Sequence, residues 1–242
     1  MIKKLRYVAA LAAAQLAACT AEPAREAQGD ATAVNGSGTS APAATSAQEP
    51  RAQERLVLAF GDSLYAGYGL DRSQSLPAVL ERELEERGIP ANVVNAGVSG
   101  DTTAGGLRRL AFTLDGLERT PDLVIVGLGA NDFLRGVDPA ETRRNMDAIL
   151  EELKRRGIPV VLTGMTAPRN LDRQYIRSFE SIYPELASKY GAQLDPFLLK
   201  GVITRPDLLL DDGMHPNAKG VETMAERLAP KVAQALAVPA KS

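Results

Sequence analysis

From Leu56 onward, short apolar runs alternate with longer segments whose apolar residues recur at helical spacing. The runs interpreted as strands are residues 56–60, 91–96, 123–128, 160–165 and, more weakly, 193–196. Uninterrupted apolar runs are typical of strands that are buried on both faces. Strand–helix alternation places helices on both faces of a mostly parallel sheet. We therefore predict a three-layer α/β/α sandwich of about five strands, in one domain over residues 55–238.

Helices are predicted between these runs, and glycine or proline marks several of their ends. The predicted helices are residues 73–87, 102–116, 139–156, 172–190 and 217–237. Asn217 is the expected cap of the last helix. Pro184 is expected to break or kink the fourth helix, and Pro230 to interrupt the last one, because proline removes a hydrogen bond within a helix.

The N-terminal region has the features of an export signal. A basic start precedes an apolar run over residues 7–18, which is too short to span a bilayer. The run ends in Leu-Ala-Ala-Cys at Cys19, a sequence that resembles the lipobox of bacterial lipoproteins. We predict a lipoprotein signal peptide at residues 1–18 and lipidation of Cys19. The alternative is an ordinary secretory signal in which Cys19 has no role.

Residues 19–54 are rich in Ala, Thr, Ser, Gly, Pro and Gln and contain few large apolar residues. Such a segment cannot offset the entropy of ordering, so we predict a disordered linker. About 35 residues of flexible chain have an r.m.s. reach of roughly 30–35 Å. The expected location is the cell envelope, with a lipid-anchored domain that faces the periplasm. A soluble periplasmic or secreted protein is the alternative.

Composition argues against several kinds of site. The formal net charge of −2 gives no sign of a nucleic-acid-binding face. A single cysteine excludes an internal disulfide and a zinc site with several thiolates, and a single histidine argues against a histidine-rich metal centre. We expect no metal and no cofactor. Acid–base chemistry through imidazole must use His215.

Four clusters of small and polar residues lie at the ends of predicted elements. Gly-Asp-Ser follows the first strand and ends at Ser63, residues 97–103 follow the second strand, and residues 129–132 follow the third. Residues 211–217, Asp-Asp-Gly-Met-His-Pro-Asn, precede the last helix. Ligands bind at the carboxyl edge of open α/β sheets. We therefore predict a functional site at this edge.

These clusters resemble, in order and approximate spacing, the four signature blocks of the SGNH hydrolases, also called GDSL esterases and lipases. The resemblance covers residues 56–236. The stretches that begin at Val98 and Asn131 are most similar to the bacterial arylesterase branch, which includes the periplasmic lysophospholipase/thioesterase. Ala130 stands where many relatives have glycine, and Tyr65 where many have serine. The resemblance implies the flavodoxin-like SGNH-hydrolase fold and hydrolysis of carboxylic esters or thioesters.

The implied roles agree with the chemistry of each residue type. A serine is a weak nucleophile at neutral pH and needs a base, which His215 can supply. A carboxylate must fix the imidazole tautomer, and Asp212 and Asp211 both lie close to the histidine in the sequence. The family pattern places the carboxylate three residues before the histidine. The resemblance therefore implies a triad of Ser63, His215 and Asp212.

The same resemblance implies an oxyanion hole. Its donors would be the backbone N–H groups of Ser63 and Gly100 and the side-chain amide of Asn131, because a tetrahedral oxyanion needs preorganised donors. Taken alone, Gly100 could be only a turn residue and Asn131 only a cap.

Other residues of the clusters have two interpretations. Three acidic residues are interpreted as turn or helix-start residues, with a divalent-metal cluster as the alternative: Asp62, Asp101 and Asp132. Three further residues are candidates for an apolar substrate-binding site, or else ordinary core or rim residues: Tyr65, Phe133 and Leu134.

The expected substrates are aryl and short- to medium-chain esters, acyl-CoA thioesters and lysophospholipids, hydrolysed by a monomer. One alternative is deacetylation of a cell-wall or exported polysaccharide. The non-enzyme alternative is a binding lipoprotein on the same fold, and the intact Ser, Asn, Asp and His argue against it.

Overall fold

A computed structural model describes residues 54–237 of the protein. The predicted signal peptide at residues 1–18, lipidation of Cys19 and nearly all of the predicted linker lie outside the described residues and stay predictions. Within residues 54–237, no helix combines the length and the apolar character needed to cross a membrane.

The sheet has five strands in the order β2-β1-β3-β4-β5, and all neighbouring strands are parallel. The strands are Arg55–Gly61 (β1), Ala91–Gly97 (β2), Leu123–Gly127 (β3), Val160–Thr163 (β4) and Gln193–Asp195 (β5). All of β3, and all of β1 after its first residue, is buried. Central strands covered on both faces have this pattern.

Helices connect successive strands and cover both faces of the sheet. They are Ser63–Ala66 (α1), Leu76–Glu86 (α2), Thr103–Asp115 (α3), Ala130–Leu134 (α4), Pro139–Arg155 (α5), Arg173–Glu180 (α6), Ile182–Tyr190 (α7) and Ala218–Ala237 (α8). Helix α2 packs against α8, whereas α3, α6 and α7 pack against α5. The chain moves one way along the sheet from β1 to β2 and the other way from β2 to β5. Right-handed crossovers then place α2 on one face and α3, α5, α6 and α7 on the other. The predicted fold class is confirmed.

The two predicted proline interruptions had different outcomes. The fourth predicted helix is split at Ser181, and Pro184 lies in the first turn of α7, where its missing N–H needs no partner. The prediction for Pro230 was wrong, because α8 continues through it to its end. Leu228 and Val232, which flank Pro230, are fully buried. Tertiary packing of this apolar face stabilises the helix despite the lost hydrogen bond.

Tyr65 lies in the core beneath the carboxyl edge of the sheet, so the prediction that it binds substrate was wrong. Its side chain is only 1% exposed, and its hydroxyl group is 2.8 Å from Oγ1 of Thr163. The ring lies against Gly61 and Gly127, and a Cβ atom at either glycine would overlap it. Two adjacent strands that both end in glycine therefore leave space for a tyrosine in the core.

Candidate active site

Ser63 is the first residue of α1 and directly follows the residue that links this helix to β1. That residue, Asp62, caps the helix: its Oδ1 accepts a hydrogen bond from the N–H of Leu64 at 3.1 Å. Its backbone oxygen accepts the N–H groups of Tyr65 and Ala66. The chain therefore turns sharply at the carboxyl end of β1, and Ser63 lines a cleft there.

The structure brings together the three residues predicted to form a triad. Ser63 Oγ lies 2.9 Å from His215 Nε2, and His215 Nδ1 lies 2.6 Å from Asp212 Oδ2. The other carboxylate oxygen of Asp212 accepts the N–H groups of His215 and Met214, each at 2.9 Å. Hydrogen bonds from the backbone and side chain of His215, and then from the Met214 N–H, lower the pKa of Asp212 to about 2. Asp212, rather than the competing candidate Asp211, is therefore the ionised carboxylate that contacts the imidazole.

The segment that carries the histidine is closed by short-range backbone contacts. The N–H of Leu210 donates to the backbone oxygen of His215 at 2.8 Å. The side-chain amide of Asn217 donates to the backbone oxygen of Leu209 at 3.1 Å, and its Oδ1 accepts the N–H of Gly220 at 3.1 Å. Asn217 is therefore the cap of α8, as predicted, and it also fixes the end of the segment.

Ser63, Gly100 and Asn131, the three predicted oxyanion residues, line the same cleft. Gly100 has a φ of 80°, a conformation that glycine adopts without strain. Nδ2 of Asn131 donates to the backbone oxygen of Asp101 at 2.9 Å. A primary amide carries two hydrogens, so this bond orients the group and leaves its second hydrogen for a ligand.

Two arginines, which the sequence analysis did not identify, tie these loops together. Arg109 of α3 donates to Asp101 Oδ2 at 2.7 Å and to the backbone oxygen of Gly61 at 2.9 Å. Arg135 donates to the backbone oxygen of Gly100 at 2.7 Å. These partners are 8, 48 and 35 residues away in sequence. No local motif could have identified such contacts.

The acidic residues of the signature blocks have structural partners. Asp132 is fully buried and accepts hydrogen bonds from the backbone and hydroxyl of Thr103 and from the hydroxyl of Thr142. Burial raises the pKa of Asp62 to about 7, and the neighbouring Asp101 and Asp132 act in the same direction. In the part of the chain that the structure describes, no three His, Cys, Asp or Glu side chains are grouped to hold a metal ion. The contacts support the structural interpretation of these aspartates.

The cleft has a volume of about 800 Å³ and a largely apolar lining. Phe133 and Leu134 line it, which is where the sequence analysis placed them. Further apolar residues come from the loops after β4 and β5: Met165, Ala167, Pro168, Phe197, Leu199 and Ile203. The sequence analysis missed these residues because apolar residues in those loops belong to no signature block. The cleft is suited to hold an apolar group beside Ser63.

Tyr68 was also not predicted from the sequence, although its ring contacts the imidazole of His215. The ring centroids are 4.4 Å apart, and the ring planes are inclined by 31°. Tyr68 is half-exposed and lines the cleft. Its N–H donates to the backbone oxygen of Ser63 at 3.2 Å, so the end of α1 holds it in place. Its position five residues after the serine was the only signal in the sequence.

Comparisons with known proteins agree with this geometry. Residues 59–222 match the GDSL-like lipase/acylhydrolase family. The chain is 41% identical over 186 residues to an arylesterase from Vibrio mimicus, which covers 77% of this chain and 92% of that protein. It is 37% identical over 180 residues to thioesterase 1/protease 1/lysophospholipase L1 from Escherichia coli K12, which covers 73% of this chain and 84% of that protein. The crystal structure of AlinE4, an SGNH-hydrolase family esterase, is 55% identical with a TM-score of 0.66, over 77% of this chain and 99% of that one.

Proposed function

The chain belongs to the GDSL-like lipase/acylhydrolase family and is a carboxylic ester hydrolase of the serine type, and we propose that it acts through an acyl-enzyme on Ser63. One observation carries the proposal. It is the continuous chain of contacts from Ser63 Oγ through both imidazole nitrogens of His215 to Asp212, at 2.9 and 2.6 Å. A nucleophile, a base and a group that orients the base need this arrangement.

In the proposed first half-reaction, Ser63 Oγ attacks the carbonyl carbon of the ester. His215 Nε2 takes the hydroxyl proton, while Asp212 accepts a hydrogen bond from Nδ1–H and stabilises the imidazolium. The imidazolium then gives its proton to the departing alcohol or thiol, and the acyl group stays on Ser63. In the second half-reaction water attacks the acyl-enzyme by the same proton transfers and releases the carboxylic acid.

The proposed oxyanion hole surrounds the carbonyl oxygen as its negative charge develops. The N–H groups of Ser63 and Gly100 and the second amide hydrogen of Asn131 donate to it. Arg135 fixes the Gly100 carbonyl, and the Asp101 carbonyl fixes the Asn131 amide, while Arg109 holds the side chain of Asp101. These donors therefore need little reorganisation when the substrate reacts.

Replacement of the serine tests this function. Ser63→Ala should reduce kcat by up to about 10⁶-fold on p-nitrophenyl butyrate, as in other triad knockouts. The melting temperature should change little, because Ser63 is partly exposed and only its hydroxyl is removed. Activity near that of the wild type in Ser63→Ala would contradict the assignment.

The proposed substrates are aryl esters, acyl-CoA thioesters and lysophospholipids. Relatives named as an arylesterase and as a thioesterase and lysophospholipase support this range. The apolar lining of the cleft also favours an acyl chain longer than acetyl. Polysaccharide deacetylation is the second candidate. A series of p-nitrophenyl esters of increasing chain length, assayed beside an acetylated glycan, separates the two. Turnover of the glycan alone would contradict the preferred range, and no turnover of either would favour a binding protein.

The proposed location is the envelope, where a lipid on Cys19 anchors a monomer that faces the periplasm. The basic start, the apolar run and the Leu-Ala-Ala-Cys sequence support this proposal. One myristoyl chain binds a membrane only marginally, at about 0.8 kcal/mol per buried CH₂, so several chains should hold the protein firmly. Labelling with radioactive palmitate should mark the wild type and not Cys19→Ser. Unlabelled wild-type protein in the soluble periplasmic fraction would contradict the lipid anchor. Light scattering tests the oligomeric state, and a dimer would contradict the proposed monomer.

A further inference from the structure

Tyr68 covers part of one face of the imidazole that the proposed mechanism protonates. We propose that Tyr68 is a positioning residue for the hydrolase reaction, which stabilises the imidazolium form of His215 through the face of its ring. This inference rests on the proposed function. The ring centroids lie 4.4 Å apart, which is within the distance of about 6 Å over which an aromatic face attracts a cation.

The ring and the carboxylate act on different parts of the imidazole. Asp212 contacts Nδ1 and Ser63 contacts Nε2, and both nitrogens lie on the edge of the imidazole ring. Tyr68 contacts the face, because the two ring planes are inclined by only 31°. The Tyr68 ring therefore contacts the face of the imidazolium, whereas Asp212 and Ser63 contact its edge.

Few other charged groups share the cleft with the imidazole. Asp212 lies on the same segment as His215, and Arg169 lines the cleft from the loop after β4. Arg169 forms an ion pair with Glu180 of α6 at 3.2 Å and is largely exposed, so solvent screens its charge. Tyr68 is itself titratable, but its effect as an aromatic face does not depend on the hydroxyl group.

The position of the ring is built into the end of α1. Gly67 closes this helix with a φ of 81°, and the N–H groups of Gly67 and Tyr68 both donate to the backbone oxygen of Ser63 at 3.2 Å. The residue that covers the base is therefore fixed to the backbone of the nucleophile. A shift of the Ser63 backbone would therefore also move the Tyr68 ring.

Three substitutions separate the ring from its hydroxyl and from its bulk. Tyr68→Phe keeps the aromatic face, Tyr68→Leu keeps an apolar cover without it, and Tyr68→Trp offers a stronger face. On p-nitrophenyl acetate, a short substrate, Tyr68→Leu should lower kcat by about 3- to 10-fold, whereas Tyr68→Phe should stay within about twofold of the wild type.

The pH dependence gives a readout that a merely structural role would not change. An aromatic face that stabilises the cation makes the imidazole more basic, so its loss makes protonation harder. The acidic limb of the kcat/KM profile should therefore move to lower pH by roughly 0.5–1 unit in Tyr68→Leu. It should stay in place in Tyr68→Phe and should not move to lower pH in Tyr68→Trp.

Proton NMR tests the same point without turnover. His215 is the only histidine in the chain, so its ring resonances are assigned directly and report one titration. Their midpoint should fall in Tyr68→Leu by the same amount as the kinetic limb and stay unchanged in Tyr68→Phe. Because this measurement needs no substrate, it can be read even if Ser63→Ala were to disprove the proposed function.

Two results would overturn the proposal. If the midpoint in Tyr68→Leu equals that of the wild type, the ring does not act on the imidazolium. If Tyr68→Phe loses as much activity as Tyr68→Leu, the hydroxyl group is the determinant. Should Tyr68→Leu fail to fold, the Tyr68→Phe and Tyr68→Trp profiles decide: a fall in the midpoint of either variant contradicts the proposal.

Discussion

The two sides of the proposed active site are built in different ways. The acid–base segment, residues 210–217, places Asp212 three residues before His215, and the hydrogen bonds between its own residues span two to five positions. The oxyanion side joins loops after three strands by hydrogen bonds that span 30 to 48 residues. The bonds of a local turn join residues that are already close in the sequence, whereas the oxyanion side exists only when the sheet and its loops are complete. Substitutions should therefore affect chemistry alone on the first side, and chemistry together with stability on the second.

The largest effect in this comparison is expected from the carboxylate of the acid–base segment. Asp212→Asn should reduce kcat by about 10⁴-fold, because an amide favours the wrong imidazole tautomer and cannot stabilise the imidazolium. Asp211→Asn is the matched control and should retain at least half of the wild-type activity. The measurement is p-nitrophenyl ester turnover at neutral pH. An equal loss in the two variants would contradict the choice of Asp212.

The next effect tests the oxyanion side alone. Asn131→Ala should reduce kcat by roughly 10²- to 10³-fold while KM changes little, because the amide acts on charge that develops in the transition state. Steady-state kinetics with p-nitrophenyl butyrate measures both constants. A rise in KM at constant kcat would show that Asn131 binds the ground state instead.

Arg109 tests whether the oxyanion side depends on long-range contacts. Arg109→Met should destabilise the fold by about 3 kcal/mol, because it leaves the largely buried Asp101 carboxylate without its partner. It should also lower kcat, since the Gly61 and Asp101 contacts disappear together. Arg108→Met, at the exposed neighbouring position, is the control and should leave stability within about 0.5 kcal/mol. Urea denaturation measures the free energy of unfolding of the two variants. Equal stability of Arg109→Met and Arg108→Met would contradict this dependence on long-range contacts.

The smallest effect concerns Asp62, which joins the strand to the nucleophile. Burial raises its pKa to about 7 from a usual value of 3.8, so the unfolded chain ionises at lower pH than the folded protein does. Stability should therefore fall as pH rises from about 4 to 7 and level off above this range. Asp62→Asn keeps the acceptor for the Leu64 N–H and should remove this slope. Thermal unfolding at pH 5 and pH 8 tests it, and an unchanged slope would contradict the account.

The sequence predicted the parts of this molecule that depend on local pattern. The five strands, most helix bounds and the cap at Asn217 follow from periodicity and end signals, and the structure confirms them. The sequence places both Asp211 and Asp212 close to His215, and the family resemblance, rather than the local spacing, selected Asp212. The predicted helix interruption at Pro230 was wrong because tertiary packing of α8 outweighs a local helix breaker.

The parts that the sequence could not predict depend on contacts between distant residues. Tyr65 lies in a signature block, yet its place in the core is set by Gly61 and Gly127 on two different strands. Arg109 and Arg135 act through partners that only the folded chain brings near. The apolar residues that line the cleft from the loops after β4 and β5 likewise belong to no recognisable sequence motif.

Both sides of the proposed site act on Ser63, the proposed nucleophile. Labelling of the protein with a fluorophosphonate, followed by peptide mass spectrometry, identifies the residue that acts as the nucleophile. We expect one modified residue, Ser63, with no labelling at that position in Ser63→Ala and slower labelling in Asp212→Asn. A hydrolytically active protein that is unlabelled, or that is labelled at another residue, would contradict this expectation.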